Sequence, residues 1–245
     1  MTLTFTSDHC LDDDVLERRF TLDGIPGILW TPENPPAATP LILLGHPGGL
    51  DRMYPRLLGR ARHCAASGFA TATIELPGAG DRPRSAPAEQ ARADLRRAIE
   101  AAEPVPAEVV DRLVLPLVET AVPEWRAALD ALLALPGIEG PVGFSGGIVS
   151  VAVRLALVES RIAAALLFAG SFVPRAILDD ARHVTIPLLM LLQWDDEGND
   201  RQLALDLFDA LGSTEKTLHA NTGGHTGVPG FEGDDAGRFF GRHLM

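Results

Sequence analysis

The sequence predicts an α/β fold, a mostly parallel sheet flanked by helices with an antiparallel hairpin at one edge. Short, wholly apolar runs alternate with longer amphipathic ones, the pattern of strands separated by crossover helices. Runs such as Leu41–Leu44 and Ile162–Ala169 carry no polar residue, as expected of strands buried on both faces. Glycine-rich segments stand where strands give way to helices, at 45–49 and 143–147.

Taken in order, Arg18–Leu22 and Gly27–Thr31 flank Asp23-Gly24-Ile25-Pro26, whose turn residues predict the edge hairpin. A proline-rich connector, 32–40, leads to the strand Leu41–Leu44. That strand runs into Gly45-His46-Pro47-Gly48-Gly49, ahead of a helix of about 17 residues from Asp51. The second buried strand, Phe69–Glu75, closes in Leu76-Pro77-Gly78-Ala79-Gly80-Asp81. About 55 residues then precede the next strand, too many for a plain crossover. Pro104, Pro106, Pro116 and Pro123 cut this stretch, and Glu124–Leu135 has apolar residues at helical spacing. The expectation is a crossover helix preceded by one or two extra helices, with 82–122 as a candidate small helical lid. Strand Pro141–Phe144, helix Ile148–Glu159, strands Ile162–Ala169 and Pro187–Gln193, helix Arg201–Leu211, strand Thr217–His219 and a closing helix from about Phe231 complete the chain. Without internal repeats or a disordered tail, residues 1–245 read as a single domain.

Composition narrows the function. With 21 basic against 33 acidic side chains the formal net charge is −12. The arginines are scattered and Lys216 is the sole lysine, so a nucleic-acid partner is not expected. No apolar run spans a membrane, and Asp12, Asp13 and Asp14 stand where a signal peptide would be basic and then apolar. Cys10 and Cys64 are too few for a disulfide framework or a four-cysteine metal site, so a cytoplasmic chain is expected. The oligomeric state is open, a homodimer among the options.

Gly143-Phe144-Ser145-Gly146-Gly147 fits G-x-S-x-G between an apolar strand and a helix, a setting that exposes a serine hydroxyl above a sheet. The helix is expected to begin at Gly146, directing its positive dipole end at charge developing beside Ser145. A serine needs a base, and the base needs a carboxylate to fix its tautomer. His225, in the glycine-rich loop 221–227 after the last strand, is the candidate base, with His219 the rival at the strand's end. The run Leu188–Gln193 ends in Trp194-Asp195-Asp196-Glu197; counting back from the next helix favours Asp196, then Asp195, then Glu197. An EF-hand reading of this acidic segment fails, because Asp200 and Asp206 stand where glycine and glutamate are required, and no metal is expected. Two amides should hold the oxyanion: Gly146, and Gly48 in the 45–49 loop, with Gly49 second, since Pro47 has no amide hydrogen. Leu50, Met53, Phe144 and Trp194 are apolar candidates for a substrate pocket.

These residues resemble the α/β-hydrolase superfamily from about Arg18 to Leu244. Gly143–Gly147 looks like the nucleophile elbow, Gly45–Gly49 like the His-Gly oxyanion loop, and Glu75–Gly80 like the Asp-x-Pro-Gly-x-Gly turn. Asp196 and Gly224-His225 look like the acid and base of the triad. The compact size is similar to the dienelactone-hydrolase-like and small serine esterase branches. Dienelactone hydrolases proper place cysteine where this chain has Ser145, Pro47 stands for the usual glycine, and Ala79 for a frequent histidine. The resemblance implies a carboxylesterase-like serine hydrolase acting on a small-molecule acyl substrate through an acyl-enzyme, with no cofactor. A thioesterase or small-amide hydrolase is the nearest alternative, and a non-catalytic ligand-binding protein on the same fold the next.

Overall fold

A computed structural model describes residues 1–12, 14–34, 38–169 and 172–245; part of the expected connector, 35–37, lies outside the described residues. Nine strands form one sheet, β1 (Leu3–Leu11), β2 (Val15–Leu22), β3 (Ile25–Pro32), β4 (Thr39–Gly45), β5 (Ala70–Ile74), β6 (Ile138–Gly146), β7 (Ile162–Ala169), β8 (Leu188–Gln193) and β9 (Lys216–Asn221). Their order is β1-β2-β3-β5-β4-β6-β7-β8-β9, antiparallel through β5 and parallel from there to β9. The hairpin turn forms at Asp23-Gly24, both with positive φ, the backbone that a two-residue hairpin loop requires. Pro26 therefore belongs to β3 rather than to the turn.

Helices cover both faces. On one lie α1 (Leu50–Ala66) and the closing α7 (Phe231–Leu244), which bury Ile42, Leu44, Leu166, Leu189 and Leu191. On the other lie α3 (Ala107–Leu133), α4 (Val149–Val158), α5 (Arg175–Ala181) and α6 (Arg201–Ala210), over Leu41, Leu43, Phe144, Leu167 and Met190. The alternation of side chains along each strand makes this division: Phe144 points to the second face and its neighbour Ser145 to the first. Among the described residues no helix is long and apolar enough to cross a membrane.

Three elements differ from the expectation. β1 adds a ninth strand outside the hairpin, and α5 fills the connection between β7 and β8. The segment after β5 holds α2 (Ala86–Glu100) and then one 27-residue helix, α3, which passes unbroken through Pro116 and Pro123. The crossover helix and the second half of the candidate lid are thus one rod. Both prolines are exposed and seven residues apart, so the carbonyls of Arg112 and Glu119, which lose their intrahelical partners, lie on the watered side.

Candidate active site

The parallel strands carry the candidate residues at or just beyond their C-terminal ends, where ligands bind in open α/β sheets. Ser145 is the penultimate residue of β6, paired in register with Leu44 of β4 and Leu166 of β7. It is buried, and its hydroxyl faces α1. There Arg60 Nη2 donates to Ser145 Oγ at 2.8 Å and to its carbonyl oxygen at 2.5 Å, while Nη1 donates to the Gly45 carbonyl at 3.2 Å.

Gly146 ends β6 beside Gly45, and α4 begins at Val149 with Ile148 as its N-cap, one residue after the expected start at Ile148, so Gly146 belongs to the strand and is not the first residue of the helix. Gly146 has φ +114, and a Cβ there would lie 2.6 Å from the Gly45 carbonyl oxygen and 2.9 Å from both terminal nitrogens of Arg60. Only glycine satisfies the backbone and leaves this space.

The 45–49 loop is fixed from below. His46 is buried, its Nε2–H donating to the Ile74 carbonyl at 3.0 Å; burial pushes its pKa down, so the ring is neutral. The Glu75 carboxylate accepts from the Leu50 amide at 3.1 Å and so caps the N-terminus of α1. Gly48 lies open, with Met53 beside it.

Asp196 and His225 meet: Asp196 Oδ2 lies 2.7 Å from His225 Nδ1. The Gly198 amide and Asn199 Nδ2 also donate to this carboxylate, at 3.0 and 2.8 Å. Burial works to raise the carboxyl, but the hydrogen bonds from His225, Gly198 and Asn199 hold it below the usual carboxylate range. An ionised Asp196 selects the Nδ1–H tautomer and leaves Nε2 free to act as a base. The His225 side chain is 46% exposed. Its ring stands edge-on to Phe168, which lies two residues beyond Leu166 along β7. His225 therefore sits further out over the sheet end than Ser145, and the hydrogen bonds place Asp196 and Asn199 beside His225 and Arg60 beside Ser145.

Asp195 takes a different part, accepting from the Gly223 amide at 3.2 Å. His219 pairs with Glu232 of α7 at 2.9 Å. The four pocket candidates separate. Leu50 is buried at the start of α1, Phe144 is in the core edge-on to Trp125, and Trp194 is exposed beneath the Arg201 guanidinium. A cleft of about 580 Å³ lies between the α2–α3 segment and the chain after β7 and β8; Val105, Val110, Phe172, Asn199 and Leu203 line it, and none of the four does.

Arg60 and Asn199 escaped the sequence reading. The signal for Arg60 was its place on the apolar stripe of α1, between the buried Leu57 and Ala61. Asn199 lay inside an acidic segment that drew attention only to its carboxylates.

No protein-family model and no curated protein matches the chain. Solved structures do. A cold-adapted esterase from an Arctic intertidal metagenomic library, in a PEG-bound complex, is 28% identical with a TM-score of 0.78, over 100% of both chains. Acetyl xylan esterase from Paenibacillus sp. R4 is 16% identical with a TM-score of 0.66, over 99% of this chain and 88% of its own. Dienelactone hydrolase from Anabaena variabilis is 20% identical with a TM-score of 0.62, over 90% of this chain and 93% of its own. The last two share the fold.

Proposed function

We propose that this chain, which shares its fold with solved esterases and a dienelactone hydrolase, is a serine hydrolase of the α/β-hydrolase superfamily, on its esterase and dienelactone-hydrolase-like branch, that cleaves a carboxylic ester through an acyl-enzyme. The observation that carries this reading is the Asp196–His225 pair, a buried carboxylate at 2.7 Å from an exposed imidazole at the sheet's C-terminal edge. Ser145 attacks the acyl carbon, His225 takes its proton and returns it to the leaving group, and Asp196 holds His225 in register. Gly48 and Gly146 hold the oxyanion, each amide contributing about 3 kcal/mol of transition-state stabilisation. The reaction requires Ser145 Oγ and His225 Nε2 to come within hydrogen-bond reach. The glycines at 223, 224, 227 and 230 give the loop that carries His225 the freedom to bring them together. The cleft beside Asn199 is of a size to take a small acyl or leaving group.

A fluorophosphonate probe tests the reading. Stoichiometric labelling is expected on the tryptic peptide 127–154, at Ser145, with loss of labelling in Ser145→Ala and a fall in turnover on the order of 10⁴-fold or more. A folded protein that takes no label overturns it. That outcome would favour a ligand-binding protein on the same scaffold, the reading that the Arg60–Ser145 contact supports as second.

A further inference from the structure

We propose that Arg60 is a positioning residue for Ser145, and that its part-buried guanidinium makes the oxygen at that position a weaker base than a free hydroxyl. The catalytic meaning of this rests on the serine-hydrolase reading; the electrostatic claim does not.

The geometry is a fork across two strand ends. One guanidinium holds the hydroxyl and carbonyl of Ser145 and the carbonyl of Gly45, so the serine side chain, the end of β6 and the end of β4 are fixed by one group. Gly146 leaves the room for it, since any Cβ there would press on both terminal nitrogens. Arg60 accordingly needs no contribution from the exposed side of the site.

The charge is uncompensated. Among the described residues no carboxylate pairs with Arg60, and burial works against its charged form. The titratable groups around it are Cys64, one turn further along α1, His46 on the 45–49 loop, and Glu75, which faces His46 and the α1 N-terminus. Burial pushes the Cys64 thiol up to about 11, and burial keeps His46 neutral, so neither cancels nor adds to the guanidinium charge at neutral pH. Glu75 spends its carboxylate on the Leu50 amide, ten residues earlier in the helix. A guanidinium cannot give up its proton under these conditions. The counter-charge that relieves its burial is then the partial negative charge on Ser145 Oγ, which develops as the hydroxyl proton passes to His225 and moves on to the carbonyl oxygen, held by the oxyanion amides, once Oγ bonds to the acyl carbon. Arg60 keeps all its protons throughout. A neutral side chain at 60 would leave that oxygen with the proton affinity of an ordinary serine.

The test replaces the hydroxyl by a group whose ionisation can be read directly, without turnover. In Ser145→Cys, alkylation by iodoacetamide is followed against pH on the 127–154 peptide by mass spectrometry, which separates this thiol from Cys10 and Cys64. A free thiol titrates near 8.5. The expected midpoint for Ser145→Cys lies at least one pH unit below that. Adding Arg60→Met raises it by at least one unit, while adding Arg60→Lys, which keeps the charge, holds it below the Arg60→Met value. A midpoint at or above 8.5 in Ser145→Cys alone overturns the proposal whether or not the Arg60 variants fold, and so does an equal midpoint in all three. A lowered midpoint in a protein that takes no fluorophosphonate label would keep the role of Arg60 and remove the hydrolase reading. Labelling with an unshifted midpoint would do the reverse.

Discussion

Asp195 and Asp196 are neighbours with separate partners, which makes them a controlled pair. Asp196 is held by His225, Gly198 and Asn199, whereas Asp195 touches the Gly223 amide. Asp196→Asn removes the charge that fixes the His225 tautomer, and turnover is expected to fall on the order of 10³- to 10⁴-fold; Asp195→Asn should cost less than tenfold. Equal losses in steady-state kinetics would reject Asp196 as the acid. Gly146→Ala is a stability experiment at the same site. With φ +114 and contacts of 2.6 and 2.9 Å awaiting its methyl, it should cost about 3 kcal/mol in urea unfolding. These positions show what a sequence can disclose. Chain order and strand ends single out Ser145, Asp196 and His225 as candidates, and of these the structure brings Asp196 and His225 together. The partnership of Arg60 with Ser145 does not, because 85 residues separate them and only the packing of α1 on the sheet joins them.

Among the elements, α4 is anchored by its C-cap, Glu159. Arg161 donates to this carboxylate at 2.7 and 2.8 Å and Arg126 of α3 at 3.3 Å, so one side chain ties α3, α4 and the start of β7. The hydrogen bonds from Arg161 hold the Glu159 carboxyl down at about 2, from an ordinary value of 4.5. A folded-state pKa below the unfolded one gives stability that is present above about pH 4.5 and is lost as the pH falls toward 2. Glu159→Gln is therefore expected to lower stability by about 2 kcal/mol at pH 7, and the gap from wild type should close near pH 2 in denaturant titrations. The helices also show which sequence signals compete. Val110, Val114, Val118, Ala121, Trp125, Ala128 and Leu132 keep one helical stripe buried through two prolines, so the period carried the correct boundary and the prolines misled. The seven-residue α5 is too short to display a period, and β1 alternates Leu3 and Phe5 with polar residues over too few positions to stand out beside the acidic 12–14 segment.

For the whole molecule, the missing strand matters more than its length suggests. β1 covers the outer edge of β2, with Phe5 packed edge-on to Phe20 and under the Arg18 guanidinium. Removing residues 1–12 would bare that edge, and exposed edges pair with other chains. The truncated protein is expected to melt about 5 °C lower and to elute as larger species in size-exclusion chromatography. An unchanged elution profile and melting point would show that β1 is dispensable. The parallel half of the sheet was readable because strands buried on both faces are uniformly apolar, whereas an edge strand need only be half so.

The continuity of α3 divides the molecule into parts with different freedom to vary. Its C-terminal half is built into the core through Trp125 and Leu129, so its N-terminal half, which reaches the cleft at Val110, is held as the far end of a stiff beam. The buried stripe along that beam cannot be traded without disturbing what lies under the sheet. The opposite bank, α2 and the 101–106 connection, carries Ile99 and Val105 into the same cleft with few buried side chains of its own. Lineages that diverge in the acyl group they accept would accordingly accumulate their changes on that bank, and leave α3 nearly constant in length and pattern.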